Sequence, residues 1–112
     1  MSPFPLSPFR KVGDLLYISG QIGQENGQLV SDTIEAQTQR AIANITAILA
    51  QNGLTLSNVI DVTAFLINEA DYEAFNEAYR SGFPEPFPAR TTVTVKALPL
   101  GAKVELKAIA AP

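Results

Sequence analysis

The chain has 112 residues, 46% of them hydrophobic and only 17% charged, with a net charge of −3 and neither cysteine nor histidine. Such a length predicts a single domain, 1–112, able to bury a core without disulfide or metal staples. The two zeros exclude thiolate nucleophiles, Cys/His zinc sites and every triad that uses imidazole as base, and the acidic balance argues against nucleic acid as a partner, because binding it needs a basic face. Acid–base chemistry is left to Asp, Glu, Lys, Tyr, main-chain groups or water. A domain this small with so few charges has too little polar surface to cover itself, which predicts a homo-oligomer. No apolar run approaches the roughly 20 residues of a membrane span. MSPFPLSPFR lacks the cationic-then-apolar order of a signal peptide, so a cytoplasmic protein is expected.

In chain order, Pro3, Pro5 and Pro8 predict an extended lead-in. Phe9–Val12 and Leu15–Ser19 flank Gly13-Asp14, a hairpin signal. Gly20–Gly27 reads as a loop with a tight turn at Asn26-Gly27. Asp32 with Glu35 three residues on predicts a capping box that opens a first helix. The helix is marked by Ile34, Thr38, Ala41, Ile42, Ile45, Ile48 and Leu49 and is closed by Asn52-Gly53.

Asn58–Ile67 is β-branched and apolar on both faces, as in a strand covered on two sides. Its alternation groups Val59, Asp61, Thr63, Phe65 and Ile67 against Ile60, Val62, Ala64 and Leu66. A second helix is expected over about Ala70–Ser81, with Tyr72, Phe75 and Tyr79 on one stripe. FPEPFPAR then forms a stiff loop that delivers Arg90 at a fixed place. Two strands close the chain, Arg90–Ala97 and Lys103–Ala110. The order ββ-α-β-α-ββ predicts an α+β fold, one sheet with two helices on one face. Thr63, Phe65, Thr92 and Thr94 are expected on the other face, available for packing between subunits.

Four segments, YISGQIG at Tyr17–Gly23, DYEAFNEAY at Asp71–Tyr79, FPARTTVTVKALP at Phe87–Pro99 and VELKAIA at Val104–Ala110, resemble the RidA/YjgF (reactive intermediate deaminase) family in the same order over nearly the whole chain. The resemblance implies a chorismate-mutase-like subunit with one mixed sheet, assembled as a homotrimer around a central barrel, with a ligand cleft at each subunit interface. It also implies hydrolysis of enamine and imine intermediates, such as 2-aminoacrylate, to 2-keto acids and ammonia without metal or organic cofactor.

By residue pattern alone, Arg90 reads as a surface arginine at a strand start. The match of FPAR to the family's carboxylate-binding arginine implies a two-pronged grip on the substrate carboxylate. Ser19 and Gly20 match the family's cleft-lining strand end, although simple strand termination explains them equally. Asn76 matches a helix asparagine that reaches the cleft; its plain alternative is a solvent-facing helix residue. Thr92 stands where many members have Cys, near the attacked carbon, and its main-chain carbonyl is the group expected to position water.

Two departures from the family pattern stand out. Phe9 replaces the frequent Tyr, keeping a ring wall without a hydroxyl. Lys107 occupies the place read as the family's water-orienting Glu, with Glu105 on the same strand face, where the two could form only a solvated pair. A cationic Lys107 in the cleft would redirect the site toward a dicarboxylate or a bulkier keto acid. The alternative functions are a non-catalytic trimer that binds small keto acids as a sensor and, with less support, an endoribonuclease or translation inhibitor.

Overall fold

The computed structural model describes residues 4–112. The expectation for Pro3 lies outside this range, and Pro5 and Pro8 lie in an irregular segment as expected. Strands β1 (Phe9–Val12) and β2 (Leu15–Ile22) form the first hairpin. Its turn places Val12 opposite Leu15, with Gly13 at φ 58°. Strand β2 extends into the start of the stretch read as a loop, ending at Ile22, with a register shift between Ile18 and Gln21. A small hairpin, β3 (Gln24–Glu25) and β4 (Gln28–Leu29), follows. It turns at Asn26 (φ 55°) and Gly27 (φ 83°), the left-handed pair that a tight hairpin requires.

Helix α1 (Ile34–Gln51) is capped by Thr33, not by Asp32. The Thr33 hydroxyl accepts from the Ala36 N–H at 3.2 Å, and Ser31 Oγ in turn accepts from the Thr33 N–H at 3.0 Å. Two adjacent oxygen-bearing residues satisfy the same sequence rule, and the Ser31 bond selects between them. The helix ends as expected: Gly53 is left-handed at φ 71°, and the Leu54 N–H reaches back to the Leu49 carbonyl at 2.9 Å.

Strand β5 (Val59–Leu66) carries the second correction. A register irregularity between Val59 and Asp61 buries Val59 and leaves Ile60 48% exposed, although strict alternation grouped Ile60 with the core. A 3₁₀ turn at Glu69–Asp71, capped by Asn68, leads into helix α2 (Tyr72–Gly82), shifted about a residue from its expected range. Strands β6 (Ala89–Thr94) and β7 (Val104–Ala110) complete the chain.

The main sheet has the order β1-β2-β7-β5-β6, antiparallel except for the parallel pair β5/β6. This is the mixed sheet of an α+β fold, with both helices on one face. The core lies between them: Leu16, Ile18, Val62, Leu66, Val104 and Leu106 from the sheet meet Ile42, Ile45 and Leu49 of α1 and Phe75 of α2, all buried.

The β5/β6 register sets Val62 opposite Arg90, Ala64 opposite Thr92 and Phe65 opposite Val93. Residues opposite one another share a face, so Arg90, Thr92 and Thr94 turn toward the helices. Thr91 and Val93 are the residues that join Thr63 and Phe65 on the open face, which corrects the expected grouping. Alternation sorts a strand into two sets, but only register decides which set faces the core.

Candidate active site

Arg90 is positioned by three constraints. The proline-rich segment before β6 aims it, β5 holds its backbone, and its side chain lies along α2. The guanidinium carbon sits 4.8 Å from the ring centre of Tyr79, 5.2 Å from Phe75 and 5.9 Å from Tyr72. These three rings are the stripe predicted at helical spacing. Their faces favour a cation and exclude water from one side of it. One guanidinium nitrogen donates to Asn76 Oδ1 at 2.7 Å and to the Tyr72 hydroxyl at 3.3 Å. No carboxylate forms an ion pair with Arg90 among the described residues. The cation is therefore held by neutral partners, and the rest of its donor fork is available to an anion.

Burial pushes the Tyr79 hydroxyl up to about 12, against the opposing pull of Arg90, so the ring beside the guanidinium is neutral at physiological pH. Thr92, two residues along β6, has a buried hydroxyl with no hydrogen-bond partner among the described residues. It lines a hollow with Leu66, Glu69, Tyr72 and Thr94. A second crevice, about 280 Å³, lies beside it and is lined by Asn76, Tyr79, Arg80, Phe87, Pro88 and Arg90.

The remaining candidates lie elsewhere. Ser19 pins the N-terminal segment: its hydroxyl donates to the Ser7 carbonyl at 2.5 Å and its N–H to the Pro8 carbonyl at 3.0 Å. Phe9, opposite Ile18, packs on the core at the β1 edge. Lys107 is exposed on the open face, opposite Thr63. Glu105 shares that face but is half-buried, and its carboxylate is folded so closely over Gly20 that a Cβ there would collide with it. Burial raises the Glu105 carboxyl above its ordinary value of 4.5.

The charged group beside Ser19–Gly20 is thus Glu105, held against the glycine and not in a solvated pair with Lys107. The alternation of β7 places Glu105 and Lys107 on one face. Only the pairing of β2 with β7 selects the one that meets the glycine.

Within one chain these groups form two clusters. Arg90, Asn76 and Thr92 occupy the β6 edge, whereas Ser19, Gly20 and Glu105 gather at β2 and β7. Strands β7 and β5 separate β2 from β6, so these two strands are roughly 14 Å apart at the usual strand spacing. No helix among the described residues is long and apolar enough to cross a membrane.

A two-helix, mixed-sheet domain with an uncompensated arginine on an aromatic helix face defines a small α+β protein with a candidate anion-binding edge. The chain belongs to the family described as Endoribonuclease L-PSP, the YjgF/RidA family, which matches residues 3–112. It is 40% identical over 114 residues to Reactive Intermediate Deaminase A, chloroplastic, of Arabidopsis thaliana, covering 97% of this chain and 61% of that longer protein. A 2-iminobutanoate/2-iminopropanoate deaminase of Dermatophagoides farinae is 36% identical over 114 residues, covering 97% of this chain and 89% of the relative. The crystal structure of RidA from the Antarctic bacterium Psychrobacter sp. PAMC 21119 superimposes with a TM-score of 0.93 at 34% identity, covering 100% of this chain and 92% of that one.

Proposed function

We propose that this protein is a cofactor-independent deaminase that hydrolyses 2-imino acids to 2-keto acids and ammonia, acting as a homotrimer. The observation that carries the reading is Arg90, a guanidinium oriented by Asn76 and three rings, with no carboxylate of its own. Such a fork fixes the plane as well as the position of a substrate carboxylate. The deaminase names of relatives at 36–40% identity support the same reaction class.

In the proposed step, water attacks the imine carbon and the C–N bond breaks as ammonia leaves. Glu105 takes a proton from the attacking water and passes it to the nitrogen, giving a carbinolamine. The hydroxyl proton of the carbinolamine then follows through the same carboxyl as the C=O bond forms, so ammonia leaves with both protons of the water. A carboxyl with a raised pKa is better matched to both transfers than an ordinary one. The main chain at Thr92 helps to position the water, and the missing side chain of Gly20 lets the Glu105 carboxylate lie against β2 beside the substrate-binding main chain there. A small imino acid cannot span two clusters about 14 Å apart. In the proposed trimer the β6 edge of one copy meets the Ser19–Ile22 end of β2 in the next, beyond the pairing of β2 with β1, with the open sheet faces turned into a central barrel. Phe9 supplies an apolar wall near the β2 edge. Lys107 stays on the sheet face, outside the chemistry.

One relative carries a chloroplast name, so the cytoplasmic placement is proposed from the sequence alone and is checked by cell fractionation. The family's ribonuclease name is not extended to this chain, which is acidic and has no histidine.

The test is a coupled assay with freshly generated 2-iminobutanoate or 2-aminoacrylate. Keto-acid release should exceed the rate in buffer, and Arg90→Ala should abolish the acceleration. Absence of acceleration in the wild type removes the deaminase reading. If 2-oxobutanoate nonetheless binds in a thermal-shift titration, the carboxylate-binding trimer takes its place.

A further inference from the structure

The crevice beside Arg90 contains a second cation. Arg80 lies one helical turn beyond Asn76 on the same side of α2, and the two residues line the crevice together with Tyr79 and Arg90. The lining includes two guanidiniums and no carboxylate, in a chain whose net charge is −3. Arg80 also sits over Phe87, its guanidinium carbon 6.0 Å from the ring centre, on the proline-rich segment that leads to Arg90. Its only ion-pair partner among the described residues is Glu77 at 3.9 Å, with both side chains mostly exposed. An exposed pair at that distance is weak and yields readily to a better-placed anion. A volume of about 280 Å³ suits a ligand of few heavy atoms.

We infer that the crevice selects substrates with two carboxylates: Arg90 grips the carboxylate next to the imine carbon, and Arg80 receives a second one at the far end of a four- or five-carbon chain. The inference rests on the deaminase reading and narrows it to 2-imino dicarboxylates. Arg80 is a specificity residue that touches the substrate tail, and it takes no part in proton transfer. Phe87 covers the methylene groups between the two charges. The second cation is thereby located at Arg80 on α2, whereas the sequence had pointed to Lys107.

The test compares 2-oxoglutarate with 2-oxobutanoate by isothermal titration against the wild type, Arg80→Gln, Glu77→Gln and Arg90→Ala. The wild type should bind 2-oxoglutarate about five- to tenfold more tightly than 2-oxobutanoate. Arg80→Gln should erase that preference, weakening 2-oxoglutarate far more than 2-oxobutanoate. Glu77→Gln should enlarge the preference by freeing Arg80 from its competing carboxylate. Arg90→Ala should weaken both ligands.

Equal affinities in the wild type, or a preference that survives Arg80→Gln, overturn the inference while the deaminase reading stands. If Arg90→Ala leaves both affinities intact, or neither acid binds the wild type, the underlying reading falls as well. Arg80 is on the helix surface, outside the core, so its replacement does not compromise folding.

Discussion

At the scale of single residues, the two charged groups of the proposed reaction are held in opposite ways. Arg90 has no counter-charge: rings and an amide surround it, and no carboxylate pairs with it among the described residues. Glu105 is pushed toward its neutral form because burial removes water from its carboxylate. A carboxyl whose folded pKa is raised binds its proton more tightly folded than unfolded. Folding stability is therefore lost as pH rises from the ordinary value of 4.5 through the raised one. Glu105→Gln removes the group responsible for that loss. The variant should unfold at a higher temperature than the wild type at pH 7, with the gain vanishing below about pH 4. The same substitution should lower kcat for imine hydrolysis with a smaller change in KM, because it removes proton transfer and leaves carboxylate binding to Arg90. A thermal-unfolding series across pH, paired with steady-state kinetics, checks both. An unchanged melting profile would show that Glu105 is well solvated.

At the scale of elements, α1 illustrates how a cap is chosen. Asp32 and Thr33 are both competent N-cap residues, and Glu35 suits the positive end of the helix dipole in either case. Thr33 is selected because Ser31 binds both its N–H and its hydroxyl, turning the oxygen toward Ala36. Thr33→Ala should therefore cost about 1 kcal/mol in urea denaturation, while Asp32→Ala should cost only a few tenths. The reverse order would restore the expectation from sequence. Helix α2 shows the other side of the comparison. Its Tyr72, Phe75 and Tyr79 stripe was legible from spacing alone, but part of what it packs against was not. A stripe of aromatic residues reads as core, yet here its outer half is a platform for a guanidinium from β6. That partner lies 11 to 18 positions away in the chain from the three rings, and the crossover that returns β6 beside β5 is what delivers it.

At the scale of the whole molecule, the separation of the two clusters yields a sharp expectation. If each site takes Arg90 from one copy and Glu105 from the next, Arg90→Ala and Glu105→Gln chains are each inactive as homotrimers but complement one another. Mixed in equal amounts by co-expression or by unfolding and refolding together, they should recover about a quarter of wild-type activity, since one site in four unites two intact halves in a random closed trimer. Light scattering of the wild type should give three times the 12.0 kDa of one chain. A mixture as inactive as either parent would place both residues in a site within one subunit. On the open face Thr63, Phe65, Val93 and Ile109 stand among Asp61, Glu105 and Lys107, a mixed surface for packing between copies.

Local chemistry determined the parts that depend on neighbours in the chain. The hairpin at Gly13, the Asn52-Gly53 stop of α1, the aromatic stripe of α2 and the exclusion of imidazole and thiol chemistry all follow from spacing and composition. The ordered motifs also sufficed to identify the family. Tertiary structure decided what depends on register. It turned Thr92 and Thr94 toward the helices, exposed Ile60 and put Glu105 rather than Lys107 over Gly20. It also brought Arg80 to the crevice of Arg90. Strand alternation has a period of two and is blind to which neighbour it will meet. That choice is made by backbone hydrogen bonds between strands far apart in the chain, and a shift of one residue reverses every side chain.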